Sequence, residues 1–305
     1  MNNKFSQLET AETHWDFQLL DSGYGFRLEQ WGKVILSRPD PQIIWQPSLP
    51  KSEWDKAWAT FKPGIGDDKG HWEIKKSLPN PWIIKYQNTN FLLKLSPFKH
   101  TGIFAEQAAN WEWMLNRIQN TEFRKLTEKP IQNSKVKILN LFAYTGGATT
   151  VLAKSGCQVT HVDASKPAIS WANENYKLNN LSKDSVRWIL DDAVKFVKRE
   201  IKRNVKYDGI IMDPPAFGHT PSGKTWKFNY NLPELLSDCI QLLSPTAKFL
   251  IINGYATNSS ALALYNLLED NTKHLKGSIE AGELCLKQKN ERLLSTGIFA
   301  RWSHN

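Results

Sequence analysis

Cysteine is scarce in this chain of 305 residues, and the three that occur, Cys157, Cys239 and Cys285, form no C-x-x-C pair. Their spacing argues against a zinc site built from cysteine and against a disulfide framework. The seven histidines are scattered and include no H-E-x-x-H sequence, the pattern that sets two zinc ligands on one helix face. We therefore predict a protein without a metal ion.

Long apolar runs are also missing. The start, MNNKFSQLETAETHWDF, lacks the apolar core of a signal peptide. No later stretch approaches the roughly 18 uncharged apolar residues that a membrane helix needs. These absences predict no membrane association and a cytoplasmic location.

Two common nucleotide-binding motifs are absent. The dinucleotide loop G-x-G-x-x-G uses its second glycine to let the backbone approach a pyrophosphate, and the comparable loop here reads YTGGA, from Tyr144 to Ala148. No G-x-x-x-x-G-K-[ST] segment occurs, which argues against a P-loop hydrolase. A nicotinamide-dependent dehydrogenase is the weakest of the rival enzyme classes.

What the chain does contain is a strand that breaks into a glycine loop and then into a helix. The pattern predicts a buried strand over Val136 to Leu141, a turn over Phe142 to Gly147 and a helix from Ala148. The first amides of such a helix have no partner within the helix and can face a ligand.

Two further strand ends carry acids. Asp163 ends the apolar run CQVTHVDAS, 17 residues after Gly146, close to the roughly 20 at which a ribose-binding carboxylate is expected. Asp213, Pro214 and Pro215 end the run YDGIIM. An acid for a ribose and an acid with two prolines for a methyl acceptor suit a methyltransferase that uses S-adenosylmethionine. The plainer interpretation is an ordinary doubly wound fold with glycine turns, in which D-P-P is only a turn after a strand.

The rest of the chain organises around this motif as a β-rich N-terminal domain, residues 1–100, and an α/β domain, residues 101–305. Strand and helix signals alternate strictly from 136 to 270, which predicts a parallel sheet, and two late β-rich runs, GSIEAGELCLKQ and RLLSTGIFARW, predict a closing antiparallel hairpin. Residues 16–99 are strand-like, with the segment PGIGDDKGHW predicted as an exposed loop.

Charge is uneven along the chain. The net charge is +9. Residues 1–130 hold 17 Lys+Arg against 15 Asp+Glu, whereas residues 131–305 hold 22 against 15. An excess of positive charge in the catalytic half fits a polyanionic partner such as RNA. Its densest run is Lys195 to Lys206, whose basic residues recur at helical spacing, although a solvated helix face explains that run as simply.

Tryptophan is abundant, and nine of the 13 tryptophans precede residue 130. A small β domain can bury several of them as core. A groove that stacks bases on tryptophan is the alternative.

Taken together, the segments HTGIFAEQAANW, ILNLFAYTGGATT, VDASKPAISWANENYKLNN, LDDAVKFV, MDPPAFG and LSTGIFARW resemble the class I methyltransferases of bacterial large-subunit ribosomal RNA, the RlmI and RlmK group, and nearer still their relatives without a separate RNA-binding module. The resemblance covers the chain from about His100 onward. It implies an α/β, Rossmann-like fold with a seven-stranded, mostly parallel sheet whose last strand is antiparallel, preceded by a smaller β-rich domain. It also implies S-adenosylmethionine as cofactor and ribosomal RNA as partner.

Residue by residue, the resemblance implies a cofactor set and an acceptor set. The glycine loop would hold the methionine part, Asp163 the ribose, Asp192 the adenine amino group, and Phe104 and Gln107 would approach from the lid side. The full cofactor set is Phe104, Gln107, Phe142, Ala143, Tyr144, Thr145, Gly146, Gly147, Asp163, Ala164, Ser165, Asp191, Asp192 and Asp213. The catalytic set is Asp213, Pro214, Pro215 and Phe217, with Lys224, Trp226, Lys227 and Tyr230 as candidate substrate contacts.

One departure from the family bears on the target atom. Members that make 5-methylcytosine carry a cysteine just past the strand equivalent to Lys248 to Ile252, because carbon 5 needs a thiolate adduct before it can attack. That position here reads Asn253-Gly254-Tyr255. We therefore favour direct attack by a base nitrogen, with Phe217 available to stack on the base.

Three alternatives stay open at this point. The chain could methylate a protein or a small molecule with the same cofactor residues, or it could bind RNA around a vestigial cofactor site without catalysis. The sequence does not identify the RNA, the base, the atom or the oligomeric state.

Overall fold

The computed structural model describes residues 5–11, 15–64, 66–119, 136–219 and 225–304. The chain divides into two compact units, the first comprising Met1–Glu9, Ala109–Leu284 and Gly297–Asn305, and the second comprising Thr10–Ala108 and Cys285–Thr296. These units do not follow a single cut near residue 100, since the segment Met1–Glu9 belongs with the α/β unit and the segment Cys285–Thr296 with the β-rich unit. The domain boundary at residue 100 stays a prediction.

The first unit is built on an eight-stranded sheet with the order β1-β16-β17-β15-β12-β9-β10-β11. Its strands are β1 (Phe5–Glu9), β9 (Lys137–Leu141), β10 (Gln158–Asp163), β11 (Val186–Leu190), β12 (Gly209–Met212), β15 (Phe249–Gly254), β16 (Ser278–Lys287) and β17 (Leu293–Ser303). Strands β11, β10, β9, β12 and β15 pair in parallel, and β17 pairs antiparallel to β15. The predicted α/β fold with an antiparallel last strand is confirmed.

Helices cover both faces of this sheet, which is why its central strands are almost entirely apolar. The helices of the unit are α2 (Gln107–Gln119, whose first two residues fall in the second unit), α3 (Gly147–Lys154), α4 (Lys166–Leu178), α5 (Ala193–Lys202), α6 (Phe228–Gln241) and α7 (Ala261–Thr272). A large core lies on the face covered by α5, α6 and α7, where Phe196, Leu235 and Leu268 pack against Ile210, Met212 and other strand residues.

The sheet has one strand more than the seven that the family resemblance implies. Strand β1 pairs in parallel with β16, with Gln7 opposite Gly282. An added Cβ on Gly282 would lie 1.9 Å from the Gln7 carbonyl oxygen, so the glycine is what lets the two backbones meet. The segment FSQLE is short and polar, and its pairing depends on a partner more than 270 residues away.

The second unit contains a five-stranded sheet and a hairpin, as the β-rich pattern predicted. The sheet runs β2-β3-β4-β5-β6 and the hairpin is β7-β8. Its elements are β2 (Phe17–Gly23), β3 (Phe26–Trp31), β4 (Val34–Pro39), α1 (Lys51–Trp54), β5 (Ala59–Gly64), β6 (Gly66–Ile74), β7 (Trp82–Tyr86) and β8 (Thr89–Leu93). The loop prediction for PGIGDDKGHW was wrong, because most of that segment is strand β6 paired with β5.

The tryptophans of the second unit pack rather than project. Trp31 is fully buried and Trp82 is 4% exposed. Trp15 lies against Trp31 and Tyr86 with ring centroids 5.9 and 5.5 Å apart. All 13 tryptophans of the chain are buried or partly buried, which favours the core interpretation over a stacking groove.

Within the described ranges, no helix combines the length and the apolar character that crossing a membrane requires.

Candidate active site

The three sequence motifs meet at one edge of the large sheet. Met212 pairs with Leu141, and Leu141 pairs with Val162, so the residues that follow, Asp213, Phe142 and Asp163, stand at adjacent register positions. Neighbouring strands lie roughly 4.8 Å apart. The carboxyl edge of an open parallel sheet is where ligands bind in such folds.

The glycine loop needs a glycine at Gly146. Its φ is +78°, in the left-handed region, and an added Cβ would lie 3.0 Å from the Cβ of Ala172 on α4. Phe142 and Tyr144 also have positive φ, +56° and +50°. The loop therefore makes a compact bend that brings the start of α3 close to α4.

The start of α3 is arranged to face an anion. Gly146 is its N-cap and provides no side-chain cap, so the first-turn amides are left without a capping side chain. Gly147 and Ala148 are only partly buried. Unoccupied amides at a helix start suit a carboxylate such as that of a methionine moiety.

Asp163 joins the loop to the next turn. Its two carboxylate oxygens accept 2.8 Å bonds from the backbone N–H of Tyr144 and of Ser165. A carboxylate offers about four acceptor positions, so capacity remains for the hydroxyls of a ribose. Burial raises the pKa of Asp163, and the backbone N–H groups of Ser165, Tyr144 and Ala164 act in the opposite direction. The residues present thus fit the cofactor that the sequence implied.

The two acids after β11, Asp191 and Asp192, also form hydrogen bonds with nearby residues. Asp192 is the N-cap of α5 and accepts from the Lys195 N–H at 2.9 Å. Asp191 accepts from the Asp192 N–H and forms an ion pair with Arg199. Asp191 also donates its backbone N–H to the Asp163 carbonyl at 3.1 Å, which keeps this turn beside the ribose candidate.

A buried polar chain lies behind the glycine loop, and the sequence analysis missed it. The Asn140 side chain donates to Thr149 Oγ1 at 2.9 Å, and that oxygen lies 3.0 Å from His161 Nδ1. The tautomer of His161 decides whether the Thr149 hydroxyl donates to Nδ1 or accepts from it. Burial lowers the pKa of His161 to about 3, so the ring is neutral near pH 7. The sequence signal that could have indicated this chain was a buried polar residue in each of two neighbouring strands, Asn140 in β9 and His161 in β10.

A second buried contact holds the loop from α4. The Asn175 side chain, fully buried, donates to the Thr145 carbonyl at 2.9 Å. Thr145 is itself 1% exposed. The loop is therefore attached to the α4 side of the core through its backbone.

The acceptor turn after β12 is held differently. Asp213 is partly buried, Pro214 is buried and Pro215 is exposed. The turn continues into β13 (Phe217–His219), which pairs antiparallel with β14 (Thr225–Lys227). The Trp226 indole N–H donates to the Pro215 carbonyl at 2.7 Å.

The remaining substrate candidates divide by exposure. Phe217 and Tyr230 are 57% and 84% exposed, and Lys227 is exposed. Trp226 is only 6% exposed, which leaves little of its ring for a substrate. Lys224 lies outside the described residues.

Phe104 and Gln107 belong to the second unit. The Phe104 ring lies 5.0 Å from the His100 ring, and the Gln107 N–H donates to the Phe104 carbonyl at 3.2 Å as α2 begins. Their expected role at the cofactor stays a prediction, as do the roles of Ala143, Ala164 and the rest of the cofactor set.

Basic residues of α5 and of its C-terminal end form ion pairs with acids of the same protein. Lys198 pairs with Glu234 at 2.6 Å, Arg199 pairs with Asp191, and Arg203 pairs with Glu200 at 3.2 Å. These pairs offset much of the positive charge of the helix, which favours a solvated face over a dedicated RNA contact.

All three cysteines are buried. Burial raises the pKa of the Cys157 thiol to about 11 and raises that of Cys239 further. Among the residues that the structure describes, no cluster of three or more His, Cys, Asp or Glu side chains could hold a metal ion.

Comparison with known proteins agrees with this geometry. Residues 72–276 match the S-adenosylmethionine-dependent methyltransferase family. A crystal structure of the S-adenosylmethionine-dependent methyltransferase from Agrobacterium tumefaciens is 36% identical, with a TM-score of 0.89, over 98% of this chain and 94% of that one. The crystal structure of SMU.776 complexed with SAH has a TM-score of 0.69 over 94% of this chain and 75% of that one; at 16% identity it shows the fold alone.

Among curated proteins, ribosomal RNA large subunit methyltransferase K/L of Shewanella frigidimarina (strain NCIMB 400) is 31% identical over 174 residues, 56% of this chain. The match spans only 22% of that longer relative. The family match covers well over half of the chain and includes the strand ends described above. The chain belongs to the S-adenosylmethionine-dependent methyltransferases.

Proposed function

We propose that this enzyme methylates a base in ribosomal RNA by direct attack of a base nitrogen. The observation that carries the proposal is an exposed aromatic ring, Phe217, four residues after an acid at the end of β12, in a chain whose cysteines are all buried. The similarity to a ribosomal RNA methyltransferase over 56% of the chain and the net charge of +9 support a polyanionic substrate.

S-adenosylmethionine supplies a methyl group on a positively charged sulfur, which departs as the neutral thioether when a nitrogen lone pair takes the methyl. The protein has to align that nitrogen and exclude water. Asp213 would accept a hydrogen bond from the N–H of the base, orient its lone pair and receive the proton that is released. Phe217 would stack on the base, since every base offers a π face.

The cysteine evidence supports nitrogen over carbon 5 as the target. A covalent route needs a thiolate beside the base. Cys157 and Cys239 are buried with raised pKa values, and Cys285 is buried in the late strand β16. Asn253 and Tyr255 stand instead at the end of β15.

The Asp213→Ala variant tests the proposal directly. Purified enzyme and ribosomal RNA from a strain lacking the gene would be incubated with methyl-labelled S-adenosylmethionine, and modified nucleosides would be identified by mass spectrometry. We expect transfer to fall roughly 10²- to 10⁴-fold, far more than the affinity for the cofactor. The matched control is Asp270→Ala, an exposed acid of α7 paired with Lys273.

Two results would contradict the proposal. An unmethylated RNA with a labelled protein or small molecule would move the substrate to another class. Salt-dependent RNA binding with no transfer by the wild type would indicate a vestigial cofactor site.

A further inference from the structure

Among the candidate substrate residues that the structure describes, Trp226 is the least exposed. Its strand β14 alternates exposed, buried, exposed, with Thr225 and Lys227 pointing outward. Resting on the proposed function, we infer that Trp226 is a positioning residue which fixes the acceptor turn and the cofactor loop relative to each other. It does so with two separate parts of one side chain.

The first part is the indole N–H. Pro214 and Pro215 have no backbone N–H, so neither residue can donate a hydrogen bond to a neighbouring strand. Trp226 instead anchors the turn through its acceptor, with the 2.7 Å bond to the Pro215 carbonyl. The next carbonyl, of Ala216, accepts from the Phe228 N–H at 3.0 Å.

The second part is the indole ring. Its centroid lies 5.4 Å from that of Phe142, at an interplanar angle of 53°. Phe142 is the first residue of the glycine loop and has a φ of +56°. Trp226 also belongs to the core that contains Leu141 and Met212, the last residues of the two strands that end at the site.

One side chain therefore contacts the turn that would hold the acceptor and the loop that would hold the donor. In-line transfer depends on the separation of those two groups, and a displacement of about 1 Å can cost about 10²-fold in rate.

Two substitutions separate the two contacts. Trp226→Phe keeps a ring beside Phe142 and removes the N–H, whereas Trp226→Leu removes both. Trp82→Phe is the matched control, because Trp82 is also buried and donates to a backbone carbonyl, that of Trp31, in the other unit.

Amide hydrogen exchange of the wild type and the variants measures how firmly the turn and the loop are held, and it needs no substrate. We expect Trp226→Phe to speed exchange in the turn segment 211–218 at least fivefold and to leave the loop segment 141–149 unchanged. Trp226→Leu should speed both, and Trp82→Phe neither. Equal exchange in all proteins, or a uniform rise across the whole chain in the Trp226 variants, would overturn the inference.

Kinetics give the second readout. On the ribosomal RNA substrate we expect Trp226→Phe to lower kcat about 10- to 100-fold with KM for S-adenosylmethionine within threefold of the wild type. A raised KM with unchanged kcat would contradict a positioning role. A wild type that transfers no methyl to RNA would instead count against the proposed substrate, while the exchange pattern would still decide the role of Trp226.

Discussion

The glycine loop after β9 and the proline turn after β12 end neighbouring strands of one sheet, yet the protein holds them by different means. The loop is attached from inside the core by Asn175, and the chain Asn140–Thr149–His161 supports the helix that follows it. The turn is held by the buried indole of Trp226, which is carried by a hairpin of three-residue strands.

The difference matches what each end has to do. A cofactor that is the same in every turnover can be bound by backbone groups that buried hydrogen bonds hold in a fixed position. An acceptor is bound by loops and hairpins at the edge of the site, because the sequence and shape of loops vary more readily than those of a core. The comparison predicts that changes behind the loop affect cofactor binding and stability together, whereas changes at the turn affect transfer.

The largest effect on cofactor binding is expected from Gly146→Ala. The left-handed φ costs an L-residue roughly 1–2 kcal/mol, and the new Cβ would lie 3.0 Å from that of Ala172. We expect the dissociation constant for S-adenosylmethionine to rise more than about tenfold, as measured by titration calorimetry. The control is Gly156→Ala, whose φ is +97° with open space around it. Gly156→Ala should lose similar stability but bind S-adenosylmethionine as the wild type does. Equal affinity in the two variants would contradict a specific role of the Gly146 bend in cofactor binding.

A smaller effect is expected from Asn175→Ala. The substitution leaves the buried Thr145 carbonyl without this donor, which should lower the free energy of unfolding by roughly 1–3 kcal/mol and weaken cofactor binding severalfold. Urea denaturation and calorimetry measure the two. Asn173→Ala on the same helix removes only a bond to the Ile169 carbonyl within α4. A binding loss as large in Asn173→Ala would mean that helix stability, and not the loop contact, is responsible.

The effect that is smallest near neutral pH is a pH dependence of stability, which grows as the pH falls. Burial lowers the pKa of His161 to about 3 in the folded protein, while the unfolded chain binds that proton near pH 6.5. Between these values only the unfolded state is protonated, so stability falls as pH falls, by up to about 1.4 kcal/mol per pH unit. His161→Gln should flatten this slope between pH 6 and 4 in urea titrations. His274→Gln, at an exposed histidine, should leave the slope as in the wild type, and an unchanged slope in His161→Gln would contradict a neutral buried ring.

Local sequence patterns predicted much of the large sheet. The apolar runs over Val136 to Leu141, before Asp163 and before Asp213 predicted β9, β10 and β12 within one or two residues, because strands buried in a parallel sheet are rich in apolar residues. Strand β1 was not predictable in the same way, since its five residues gain stability only from pairing with β16.

The site shows the same division. Gly146, Asp163 and Asp213 were predictable because each follows an apolar strand, and parallel strands bring their carboxyl ends to one edge. Asn175 and His161 were not, because a polar residue in an apolar element gives no indication of the partner that it will meet. Trp226 was predicted as a substrate contact and is only 6% exposed; sequence does not distinguish an aromatic ring that faces a substrate from one that faces the core.

The amino-acid sequence by itself determined the class of fold, the cofactor and the strand ends that meet at the site, because those follow from hydrophobic periodicity and from short motifs whose geometry is local. Only the tertiary structure decided which polar groups are buried behind the loop, which ring is covered and which is exposed, and which charges are already paired. These depend on contacts between residues far apart in the chain, and no local pattern records them.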